Sequence, residues 1–152
     1  MGSLEEIRQL YADYLERVRQ AEQSRKPLEG YLGFGRRLGT DPCHNEFAQA
    51  LDALLLEIDQ GAPASAAVRE MLEYIYRAPQ AHQKPLAVYW MLIAVHGPTI
   101  RLIDRLDRED AQALWTEYKA LYQRGDRLPV QKKVLAALKK ACGHEGIARL
   151  KG

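Results

Sequence analysis

Apolar residues return every three or four positions along most of this chain, and no segment alternates apolar and polar residues with the period of two that a half-buried strand requires. Leu4, Ile7, Tyr11, Tyr14 and Val18, widened by Leu10 and Leu15, trace one helical stripe. Cys43, Phe47, Leu51, Leu54, Leu55 and Ile58 trace a second, and Val68, Met71, Leu72, Ile75 and Tyr76 a third. Towards the other end, Ala111, Leu114, Trp115, Tyr118, Leu121 and Tyr122 share a face, as do Val134, Leu135, Leu138 and Cys142. This period predicts an all-α fold of amphipathic helices.

Local signals punctuate the stripes. Ser3 followed by Glu6 is a capping box, and Asp41-Pro42 supplies an N-cap and a first helical residue whose missing amide costs nothing there. Gly61 and Pro63 separate the second helix from the third, which is expected to stop near Ala78-Pro79. The run from Leu86 to Val95 has no charged face, so a central helix over residues 85–96 is expected, broken by Gly97-Pro98 before a short helix from Thr99 to Leu106. Asp107 caps the next helix, Gly125 ends it, and Pro129 and Gly143 bracket the last.

The expectation is about seven helices in one domain spanning 1–152, arranged as an antiparallel bundle or a HEAT-like stack of helix hairpins. The segments "PASAAVREMLEYIY", "KPLAVYWMLIAV" and "LPVQKKVLAALKKAC" resemble in outline the second helices of HEAT-type repeats. Their spacings are unequal and no signature residue recurs. A chain of 152 residues buries roughly 70% of the surface it exposes when unfolded, enough for a core without staples.

The first residues lack the basic and apolar regions of a signal peptide, and the longest apolar run, Pro85 to Val95, is shorter than a membrane span. A cytoplasmic protein is expected, with Cys43 and Cys142 as free thiols. Charge is uneven: residues 1–118 carry 13 Lys or Arg against 18 Asp or Glu, whereas 119–152 carry 9 against 2. An end-loaded basic segment points to an acidic partner.

The stretch "EGYLGFGRRLGTDPCHNEF", residues 29–47, is the least helix-like part of the chain. Its glycines do not form a nucleotide fingerprint, because no strand precedes them in a βαβ unit. Tyr31, Phe34, Arg36, Arg37 and His44 beside a helix N-terminus make a candidate anion or ligand site, since free amides, a positive dipole end and arginine forks favour anions. The competing reading is a packed connector whose aromatics plug into the core.

Lys132, Lys133, Lys139 and Lys140 form a candidate basic surface on the polar side of the last helix. Cys43, His44, Cys142 and His144 make a zinc inventory at the wrong spacing for a finger. His96, at the end of the apolar helix, suits a cationic imidazole at the negative end of the dipole. No nucleophile elbow, catalytic pairing or cofactor motif is present in the sequence.

The leading expectation is a helical binding module that recognises an acidic macromolecule or a protein segment through the 29–47 loop, the basic helix, or both. The alternatives are a protein that binds nucleic-acid backbones, and an enzyme or metal protein using Cys43, His44 and His144.

Overall fold

Each stripe becomes a helix. In the computed structural model, which describes residues 3–24, 42–81, 89–122 and 128–143, the described helices are α1 (Ser3–Ser24), α2 (Pro42–Gln60), α3 (Ser65–Ala81), α4 (Tyr89–Ile103), α5 (Arg108–Leu121) and α6 (Pro129–Ala141). No strand occurs among the described residues, and no described helix is long and apolar enough to cross a membrane. The side chains of Ser3 and Cys43, and residues Asp41, His82, Gly125 and 144–152, lie outside what is described.

Contacts fix the direction of each neighbour. Arg17 of α1 reaches Glu46 of α2, Tyr14 stacks on Phe47 at 4.7 Å, and Leu4 shares a groove with Leu54 and Ile58, so α1 and α2 are antiparallel. Tyr76 of α3 meets Thr99 of α4 while Pro79 lies beside Met91 and Leu92, so that pair is antiparallel too. Arg108 at the start of α5 covers Gly143 just past the end of α6, which gives the third antiparallel pair.

Between pairs the direction is kept. Asp52 and Asp59 of α2 pair with Arg101 in the last turn of α4 (2.9 Å) and Arg105 just after it (2.8 Å), in rising order. Arg69 of α3 pairs with Asp110 of α5 at 3.1 Å, and Arg77 pairs with Glu117. Arg8 lies 5.7 Å from the ring centre of Tyr74, and Tyr11 meets the same ring edge-on at 5.2 Å, which sets α1 against α3. Helix α4 packs against α2, α3 and α6. Ile93 is nevertheless 39% exposed, so one side of α4 is open. Half-exposed ion pairs contribute about 1 kcal/mol or less each, and their stronger effect is to set register.

The expected break at Gly97-Pro98 does not occur: α4 runs through both residues to Ile103. Proline deprives Ala94 of its helical donor and costs about 3 kcal/mol in a helix interior. Leu102 and Ile103, both fully buried beyond the proline, each contribute about 1.5–3 kcal/mol, and that burial offsets the cost. The Thr99 hydroxyl donates to the His96 carbonyl at 2.6 Å, and Tyr76 in turn donates to Thr99 at 2.7 Å, since threonine's single proton is already committed. Helix α3 likewise continues past Pro79 to Ala81, where the Tyr122 hydroxyl donates to the Tyr76 carbonyl at 2.7 Å.

His96 also departs from expectation. It is fully buried in mid-helix with Nδ1 2.8 Å from the Tyr118 hydroxyl, and burial lowers its pKa to about 3. The ring is neutral at physiological pH, so no cation sits at that dipole end. A charged imidazole in this core would have to be desolvated without a counter-ion.

Candidate functional site

Because α1 runs antiparallel to α2 and parallel to α3, the start of α1, the end of α2 and the start of α3 meet at one end of the molecule. The connector between α2 and α3 is tight. Gly61 donates to Ile58 O at 3.0 Å, Ala62 donates to Asp59 O at 3.1 Å, and Ala62 adopts the left-handed φ of 51° that turns the chain. Small residues follow, and Ala64 and Ala67 leave space where larger side chains would close the surface.

The result is a groove of about 790 Å³ open to solvent. Leu4 and Leu54, partly exposed, and Ile58 and Met71, buried beneath them, form its floor. Glu5, Glu6, Glu57 and Glu70 form its rim, all four exposed, and no basic residue lines it. Glu5 and Glu6 sit in the first turn of α1, where the dipole favours acids, whereas Glu57 lies near the negative end of α2. None of the four forms an ion pair among the described residues.

A second hollow, about 310 Å³, adjoins the first and shares Leu4 and Glu70 with it. Apart from the shared Glu70, its charges are already engaged. Glu73 takes Arg69 at 3.0 Å and Arg77 at 3.9 Å, Arg77 also holds Glu117, and Arg8 stands over Tyr74. Electrostatic demand is therefore concentrated in the larger groove.

The residues expected to form a site fare differently. Tyr31, Phe34, Arg36 and Arg37 lie outside the described residues. His44 does not face solvent: it is 5% exposed, because it begins the stripe His44, Phe47, Leu51, Leu55, Ile58 along α2. Lys132, Lys133, Lys139 and Lys140 are all exposed on α6, opposite the buried Val134 and Leu138. Of the proposed zinc set, Cys142 is buried with its thiol donating to Lys139 O at 3.3 Å, and His144 lies outside the described residues. The described residues contain no group of three or more His, Cys, Asp or Glu placed to hold a metal ion.

Protein-family models, curated proteins and solved structures give no match to this chain. Function is read from the groove and the charged faces.

Sequence periodicity singles out no groove residue. One signal was available: Glu6, Glu57 and Glu70 have no Lys or Arg three or four residues away, the spacing at which helical ion pairs form. Beside the alanine-rich "GAPASAA" turn, such unpaired acids mark a surface that is both hollow and negative.

Proposed function

We propose that this chain is a helical protein-interaction module that holds a segment of a partner protein in the groove between α1, α2 and α3. The observation that carries the reading is the apolar floor. Leu4 and Leu54 remain partly exposed over Ile58 and Met71 in a concave surface of several hundred Å³, the form in which helical proteins take the apolar face of a bound segment.

The arrangement of the helices supports the same reading. Three antiparallel pairs set side by side with direction preserved support a HEAT-like stack of hairpins. Ser65 and Arg108 begin α3 and α5 43 positions apart, within the period of such repeats. From Ser3 to Ser65 the interval is 62, so the extra length of the first repeat falls in the stretch containing Arg36 and Arg37. Stacks of this kind serve as platforms for other macromolecules.

The α6 lysines support a second reading. Lys132, Lys133, Lys139 and Lys140 are exposed together without an ion pair among the described residues, a face suited to an acidic macromolecule such as a nucleic-acid backbone. Affinity for duplex or single-stranded nucleic acid that falls steeply with salt would support it, and no shift at low salt would eliminate it.

The groove is tested by selecting displayed peptides on the wild-type protein and measuring them against Ala67→Trp. Ala67 is exposed at the groove, so the indole fills it without entering the core. Selected peptides should lose about tenfold or more in affinity. Equal binding to a variant with an unchanged unfolding transition contradicts the reading.

A further inference from the structure

The rim of the groove defines the chemistry of what it holds. We infer that the occupant is a cationic amphipathic helix, bearing apolar residues one turn apart on one face and lysine or arginine on both flanks; this rests on the groove being the binding surface.

Three observations converge. Leu54, partly exposed on α2, stands one helical turn from the buried Ile58, so the hollow has an apolar floor against which the apolar face of a docked helix can lie. Leu4 and Met71, from α1 and α3, extend that floor beyond a single helix. Around it Glu5, Glu6, Glu57 and Glu70 come from three different helices and converge on one hollow with no base among them.

Four exposed carboxylates around one hollow favour a segment that carries lysine or arginine and disfavour an acidic segment or a phosphate backbone. The contrast with the adjoining hollow is direct, since its Glu73 is already held by Arg69 and Arg77.

A second copy of the chain fits less well. Its α6 has the required lysines, but Val134 and Leu138 on that helix are fully buried and of its leucines and valines only Leu135 is partly exposed, so α6 lacks a row of apolar anchors one turn apart for the floor.

The test uses three synthetic helical peptides: leucines at i, i+4 and i+7 with flanking lysines; the same leucines with glutamates; and the same lysines with serine for leucine. Binding is measured by fluorescence anisotropy over rising salt against wild type, Ala67→Trp, and the double variant Glu57→Lys, Glu70→Lys. The lysine-leucine peptide should bind wild type about tenfold or more tighter than either counterpart, with affinity falling as salt rises. The double variant should reverse the preference towards the glutamate peptide.

If lysine and glutamate peptides bind alike and both are weakened by Ala67→Trp, the cationic assignment fails while the groove stands as a binding surface. If no peptide responds to Ala67→Trp, the groove itself fails. Self-association in sedimentation that Glu57→Lys, Glu70→Lys abolishes would identify a second copy as the occupant and overturn the inference. Thermal unfolding confirms that each variant is folded, as expected for substitutions at exposed positions.

Discussion

The Ser65 hydroxyl donates to the Asp110 carboxylate across 2.5 Å, joining the first turns of α3 and α5. The same oxygen accepts the Asp107 amide at 2.8 Å, while the Asp107 side chain caps α5 by accepting the Asp110 amide at 2.8 Å. One small residue thus ties the starts of two helices through a bond between residues 45 positions apart. Ser65→Ala should lower stability by about 1–2 kcal/mol in urea unfolding, since the bond lost is to a charged group. Arg69→Ala should cost less, because that side chain is 41% exposed. The Ser65 hydroxyl, and after it Arg69, hold the Asp110 carboxyl below its ordinary value of 3.8. The unfolded chain therefore takes up this proton first. The stabilisation is complete above pH 3.8 and is lost as pH falls below it, and Ser65→Ala should flatten that acid limb.

His96 gives a separate acid sensitivity at higher pH. Its pKa is lowered from 6.5 to about 3 by burial, so between those values the unfolded state binds a proton that the folded state refuses. Stability should fall as pH drops below 6.5 by up to about 1.4 kcal/mol per unit from this residue. His96→Asn should remove that component of the slope whatever it does to stability at neutral pH. An identical slope in both proteins would refute the assignment.

Two buried tyrosines should respond oppositely to loss of their hydroxyls. Tyr11 is 1% exposed with no hydrogen-bond partner for its oxygen among the described residues, whereas Tyr76 is equally buried and donates to Thr99. An unsatisfied buried hydroxyl costs roughly 1–3 kcal/mol, so Tyr11→Phe should be neutral or raise the unfolding midpoint. Tyr76→Phe should lower stability by about 1 kcal/mol by leaving the Thr99 oxygen without its donor. Chemical denaturation of the two variants side by side distinguishes them.

Gly143 closes α6 with a φ of +85°, and a Cβ there would lie 2.9 Å from Arg108 Nε. The left-handed conformation alone costs an L-residue about 1–2 kcal/mol, and the arginine must also move. Gly143→Ala should destabilise by at least that amount. Gly143→Asn should cost less, because asparagine tolerates this backbone region better.

Helix positions were legible where local chemistry and packing agree. Asp107 as a cap, Gly143 as a stop and the stripe from Val68 to Tyr76 all read directly, because each depends on residues within a turn or two. The Gly97-Pro98 break was misread because the preference of those two residues is overridden by burial of Leu102 and Ile103, which depends on partners far along the chain. Placing Cys43 at the head of the α2 stripe left His44 on the outside, when His44 is the residue in register with Phe47 and Leu51. The groove was not legible, since its lining comes from three helices whose convergence no periodicity encodes.

The most direct test of the groove is methyl NMR during titration with the lysine-leucine peptide. The methyl signals of Leu4, Leu54, Ile58 and Met71 should shift together with a single saturation curve, while those of Leu135 and Leu138 on α6 stay in place. Saturable shifts confined to α6, or no shift at the groove methyls while the peptide binds, would contradict the account.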